Sequence, residues 1–346
     1  MATAAENKIH FSELDGIRGL LCLIVLFYHW GLNTLLERLT SGYLGAGRWE
    51  LAVDFFFTLS GFVLCHSTSR KTSITIREFL VKRCVRLLPV SIVCLLIALL
   101  AKPSFLERPV ETAANFLLIQ VFLGYPSFNG ASWSACLELW VPALFIYPSR
   151  FRYGNTAWMK PMLAAFLCLE AMVLYGLIFS SRYEEPLARS FFGLLGGFAL
   201  YLLCARTEFR FRPGRFSNVF AYTLISGIVS VMCLSGKWGA LVFLFPFLTA
   251  CTIVVCLTSR TVLSGSIFQY FGKRSYSIYM VHMPLILLTM SLPGSAAMQG
   301  SVLLKAGAIA VTVVIADLIH RFIELPAMKL CQVPDPRKIQ GTGLAG

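Results

Sequence analysis

The chain has 346 residues, 57% of them hydrophobic and only 14% charged, with a mean hydropathy of +0.72 and a formal net charge of +13. This excludes a soluble globular domain and points to an integral membrane protein. The basic excess is one that nucleic-acid binders also show, but here the lysines and arginines gather at the ends of apolar runs, so no nucleic-acid partner is expected.

Taken in chain order, apolar runs of spanning length are predicted at 17–36, 50–67, 85–101, 132–148, 161–180, 187–204, 217–235, 238–257, 275–292 and 302–323. No polar stretch between them is large enough for a separate folded domain. The expected fold is an all-α integral membrane bundle of about ten transmembrane helices, with an N-terminal tail over 1–13, the membrane domain over 14–326 and a C-terminal tail over 327–346. Most of the 30 lysines and arginines fall on the side of the bundle that holds both tails, including six between Arg70 and Arg86. The positive-inside rule therefore predicts both termini in the cytoplasm and the protein in the plasma membrane, with the first helix retained because no cleavable signal precedes it. Between Lys102 and Ala131, the apolar run 116–124 is too short to span and is expected to lie along the outer surface or re-enter. Eleven cysteines are scattered, many inside apolar runs (Cys22 and Cys94 among them), without the spacing of a metal knuckle. They read as small core residues, and neither a metal nor a bound cofactor is expected.

Ionisable groups within the apolar runs are costly unless they face a partner or a cavity, so they are the first places to look for function. Arg18 and His29 are eleven residues apart, about three helical turns, which puts both on nearly the same face and roughly 16 Å apart. The second run carries Asp54 near its start. At the start of the third run, Arg83 and Arg86 stand at i and i+3 and can converge on one anion, the guanidinium fork matching phosphate oxygens; a topology anchor on lipid head groups is the competing reading. The fourth run opens on Trp133 and Ser134, with Glu138 one turn further on the face of Ser134. Arg189 starts the sixth run and reads as a snorkelling arginine more readily than as a ligand for a sugar or an anion. In the ninth run Ser275, Tyr279 and His282 form a polar stripe at i, i+4 and i+7 that must face the bundle interior, just before the kinking Pro284. Asp317, His320, Arg321 and Glu324, at the end of the last run, are spaced to pair among themselves.

Several of these segments together resemble the acyltransferase 3 family of multi-pass membrane acyltransferases. The resemblance rests on Leu14-Asp15-Gly16-Ile17-Arg18-Gly19, on Arg18 and His29 with ten residues between them, and on the aromatic-rich run from Asp54 to Phe62 that contains Ser60. Further matches are Arg83-x-x-Arg86 followed by Pro89, Trp133-Ser134 with a following Glu138, the serine-tyrosine run ending in His282 and Pro284, and the closing Glu324-x-Pro326. The resemblance covers Leu14 to Pro326 in family order. It implies transfer of an acyl group, acetyl foremost, from cytoplasmic acyl-CoA as co-substrate to a hydroxyl of a cell-surface or lipid-linked saccharide. In that scheme His29 is the general base, because a neutral imidazole can take the proton of the acceptor hydroxyl, and Asp54 orients it or holds its charge. Arg18, Arg83 and Arg86 hold the donor, while Ser60, Trp133, Ser134, Glu138, Tyr279 and His282 bind the acceptor or support the site. A transporter or flippase using the same charged residues as a pathway is the alternative from another class; against it stands the lack of paired inverted halves.

Overall fold

The computed structural model describes residues 12–42, 47–69, 75–150, 186–206, 216–235, 239–293 and 301–330; the predicted run at 161–180 lies outside them. Among the described residues there are no strands. The helices are α1 (Ser12–His29), α2 (Leu32–Leu39), α3 (Leu51–Ser69), α4 (Ile76–Ala101), α5 (Pro109–Phe116), α6 (Ser132–Arg150), α7 (Pro186–Arg206), α8 (Ser217–Leu234), α9 (Phe245–Cys256), α10 (Ser266–Ser291), α11 (Val302–Ile319) and α12 (Leu325–Leu330). Six helical segments among the described residues are long and apolar enough to cross a membrane, within α3, α4, α7, α8, the Gly239–Cys256 segment and Val302–Leu330; a seventh is added if α1 and α2 are one bent span. Helices α6 and α10 are not in that set. They carry Ser134, Glu138, Tyr279 and His282, and such polar residues pull mean hydropathy down.

Three boundaries differ from the sequence reading. The run expected as one span over 17–36 breaks after His29, and α2 leaves α1 at 83°. Gly31 makes the break with φ of 74°, a backbone region that glycine enters without strain. Its carbonyl is recovered by Lys305 Nζ at 3.1 Å and the Thr34 hydroxyl at 2.6 Å. Helix α4 begins at Ile76, nine residues ahead of the apolar run, because Thr75 and Glu78 form a capping box: Glu78 N donates to Thr75 Oγ1 at 3.1 Å and Thr75 N to Glu78 Oε2 at 2.9 Å. Helix α10 likewise begins at Ser266, well before the apolar stretch.

Inside a bilayer, apolar contact alone gives helices little reason to associate, and close backbone approach at small residues has to supply the packing. Two parallel seams follow this rule. Along α1 and α10, a Cβ on Gly19 would strike the Phe268 carbonyl and the Gly272 amide, a Cβ on Gly272 would strike the Asp15 carbonyl, and Cys22 Sγ donates to the Ser275 carbonyl at 3.4 Å. Along α3 and α7, Gly193 lies against Phe57 and Gly197 against Thr58 and Phe62, while Tyr201 packs edge-on to Phe62. The α1 helix also divides the core. Ile17 and Leu21 belong to a cluster with α3, α8 and α9, whereas Cys22 and Leu26 belong to one with α4, α6, α10 and α11.

The segment before α6 neither spans nor lies loose. Asn115 ties it together, donating to the Pro126 carbonyl at 3.0 Å and accepting from Phe128 N at 3.0 Å. Asn129 Nδ2 then donates to the Met280 carbonyl at 2.9 Å, which fixes the start of α6 against α10.

Candidate active site

A cavity of about 100 Å³ opens between α1, α3, α4, α6 and α10, and its wall includes Arg18, Ser60, Arg83, Arg86, Ser134, Glu138, Ser275 and Tyr279. A single water needs only ~10–15 Å³ by this kind of measure, so the space takes part of a substrate. Five separate helices thus bring together eight of the residues singled out from the sequence. Each enters for a local reason: Arg18 from the early turns of α1, Arg83 from the turns that the capping box adds to α4 and Arg86 three residues further on, and Ser134 and Glu138 from one face of α6.

The three arginines are not equivalent. Arg83 is 5% exposed and committed to α6: its Nη2 donates to the Glu138 backbone carbonyl and lies 3.3 Å from the Glu138 carboxylate. The same carboxylate oxygen, Oε1, also accepts from the Ser60 hydroxyl at 2.9 Å. Arg18 has Asp15 only at 3.7 Å and keeps 29% of its side chain exposed. Arg86, half-buried on the cavity wall, has no hydrogen bond or ion pair among the described residues. The expectation that Arg83 and Arg86 converge on one anion therefore changes: Arg83 is a strut to α6, and Arg18 and Arg86 are the guanidiniums that face open space.

Tyr279 links this cavity to a pair of imidazoles. Its hydroxyl accepts from Ser134 Oγ at 3.0 Å, and its ring lies 5.6 Å from that of His282, which lies 4.9 Å from that of His29. His29 Nδ1 is 3.0 Å from the Val25 carbonyl, an oxygen that can only accept, so the proton sits on Nδ1 and Nε2 keeps its lone pair. The ring is solvent-accessible. His282 Nδ1 is fixed in the same way by the Tyr279 carbonyl at 2.6 Å, but the residue is 1% exposed and its Nε2 has no partner among the described residues. Parallel packing of α1 on α10 is what brings the two rings together.

Asp54 lies elsewhere, and its expected contact with His29 is absent. Its carboxylate takes a bidentate fork from Arg189, Nε to Oδ1 at 3.0 Å and Nη2 to Oδ2 at 3.1 Å, and Nη2 also donates to the Glu50 carbonyl at 3.1 Å. Arg189 is 6% exposed, so it does not snorkel; its guanidinium also lies over the Trp133 ring, 5.3 Å from the centroid. Trp133 in turn packs against Phe57, which lines the arginine cavity. Asp54 and Trp133 therefore sit behind the cavity. The pairing of Asp54 with Arg189 crosses 135 positions, and only the early place of each in its apolar run hinted at it.

The closing cluster pairs as spaced. His320 Nδ1 lies 2.8 Å from Glu324 Oε2 and Arg321 Nε 2.8 Å from Asp317 Oδ2, with Arg274 joining Asp317 and Ser277 donating to Glu324 at 2.6 Å.

Comparison with known proteins gives a consistent picture. The sequence model of a family described as an acyltransferase domain matches residues 11–321. YrhL of Bacillus subtilis, named provisionally as a peptidoglycan O-acetyltransferase, is 25% identical over 93% of this chain and 55% of its own length. A provisionally named O-acetyltransferase of Staphylococcus aureus strain COL is 24% identical over 94% of this chain and 59% of its own. The peptidoglycan O-acetyltransferase OatA of Listeria monocytogenes is 23% identical over 94% and 57%. The chain thus spans somewhat more than half the length of these curated relatives. No solved structure matches.

Proposed function

The chain belongs to the acyltransferase 3 family, and on that premise we propose that it moves an acetyl group from acetyl-CoA to a hydroxyl of a peptidoglycan-type saccharide at the plasma membrane. The observation that carries this reading is the continuity from an arginine-lined cavity, through Tyr279, to an accessible imidazole whose Nε2 lone pair is free. Arg18 and Arg86 face the anionic part of the donor, for which arginine is the suited residue because its fork matches phosphate oxygens. Arg83 serves through Glu138, holding α6 and the Ser134–Tyr279 contact in register.

The reaction needs little beyond positioning and a base. His29 Nε2 takes the proton of the acceptor hydroxyl as its oxygen attacks the thioester carbonyl carbon. The carbon–sulfur bond then breaks, and the CoA thiolate leaves and is protonated, giving an O-acetyl ester and CoA. General-base assistance of this kind contributes typically about 10²–10⁴ in rate. His282, buried beside His29, packs against its ring and keeps it in place. Asp54 acts at a distance, by fixing Arg189 and through it Trp133.

Membranes bearing the native chain and the His29→Ala variant at matched protein levels, supplied with radiolabelled acetyl-CoA and cell-wall saccharide, test this directly. Label entering saccharide with the native chain and falling at least a hundredfold with the variant supports the reading. Equal labelling by both removes His29 as the base.

A further inference from the structure

A second cavity, of about 240 Å³, lies between α3, α7 and α9, away from Arg18, Arg83 and Arg86. All three helices fall within segments long and apolar enough to span, so the cavity sits at membrane depth. Its wall is apolar along α7, at Phe192, Leu200 and Leu203, and across α9 at Phe245. The polar side chains gather toward one end. Asp54, Arg189 and Thr249 each stand in the early turns of their helices, and Thr58, one turn beyond Asp54, spends its hydroxyl on the Asp54 carbonyl at 3.0 Å; Leu203 is fourteen residues beyond Arg189, roughly 21 Å along the helix.

Two details are unexplained by packing. Gly196 faces open space, with nothing within 4 Å of a Cβ built there, although Gly193 and Gly197 on the same helix press directly on α3. Thr249 is 1% exposed, and its hydroxyl has no hydrogen-bond partner among the described residues. An unmet buried hydroxyl carries a desolvation cost that a bound oxygen would remove. The apolar length of this cavity, along Leu200 and Leu203, does not hold water, and at this depth the available filler is hydrocarbon.

We infer that this cavity is a binding site for one ester-linked hydrocarbon chain of a bilayer lipid, the chain lying along α7 over Gly196 and the ester oxygens at the level of Thr249 and Arg189. The inference is independent of the transferase reading. It gives the Asp54–Arg189 pair a second task, since the same guanidinium supports Trp133 on one side and borders the lipid site on the other.

The test is photolabelling of the full chain in nanodiscs made with a phosphatidylcholine that carries a diazirine within one acyl chain, followed by peptide mapping. Phe192 and Phe245 are 7% and 1% exposed, so lipid surrounding the protein does not reach them. Label at these two positions is expected in the native chain. It should fall about tenfold in Gly196→Phe, which fills the open space, and severalfold in Thr249→Val, while label on the outward-facing Leu303 and Phe322 is unchanged. If Gly196→Phe does not fold, the native map and Thr249→Val decide. Absence of label at Phe192 and Phe245 in the native chain, or label there that neither variant lowers, overturns the inference.

Discussion

Two of the charged clusters among the described residues differ in what remains unsatisfied. At the end of α11, Asp317, Glu324, His320 and Arg321 pair with one another and with Arg274 and Ser277 of α10, and this network closes on itself. In the cavity between α1, α4 and α6, Arg83 and Glu138 close on each other while Arg86 and much of Arg18 face open space. A charge within apolar helices is thus not by itself a mark of function, because partners can neutralise its cost. An unmatched guanidinium on a cavity wall is the stronger mark.

The sharpest way to break this contrast is at the base. His29→Ala should lower transfer by about 10²–10⁴, measured as initial rate at saturating donor, with unchanged thermal stability in detergent. Next, Arg86→Ala should raise KM for acetyl-CoA by about ten- to a hundredfold, as expected for loss of a charge-assisted contact worth about 1.5–3 kcal/mol. Its kcat and stability should change little, which steady-state kinetics and a melting curve together decide.

Arg83→Ala should behave in the opposite way. It leaves Glu138 without its cation, and breaking a buried pair costs about 3 kcal/mol or more. A lowered melting temperature is expected, with activity that added donor does not restore. Asp54→Asn should resemble Arg83→Ala, since Arg189 is then left buried beside an uncharged amide; a normal melting curve with lost transfer would instead return Asp54 to the chemistry. The smallest effect is expected from Glu324→Gln, which keeps acceptors for Ser277 and His320 and should leave transfer within about twofold; a large loss there would erase the distinction between the two clusters.

Much of this was legible in the sequence where a single helix carries the information. The apolar runs located the six described segments that are long and apolar enough to span, and helical spacing put Ser134 with Glu138 and Tyr279 with His282. It also anticipated the internal pairing of the α11 cluster. What crossed between helices was not legible. Arg189 read alone as a snorkelling side chain, and Asp54 as the partner of His29, because spacing says nothing of a contact 135 positions away. The break at Gly31 was hidden because Leu32, Leu35 and Leu36 continue the apolar pattern past it. The early start of α4 was hidden for the converse reason, since Arg77, Glu78, Lys82 and Arg83 make its first turns read as loop, and that of α10 because Gly272-Lys273-Arg274 interrupts the apolar pattern behind Phe271.

The central claim is a division of labour, with Arg86 gripping the donor and His29 serving only the acceptor hydroxyl. Equilibrium binding of CoA to the purified full chain separates the two. Binding at least ten times weaker in Arg86→Ala, and native-like in His29→Ala, is the predicted result. Native-like binding in Arg86→Ala would contradict the account and leave the arginine cavity without its assigned ligand.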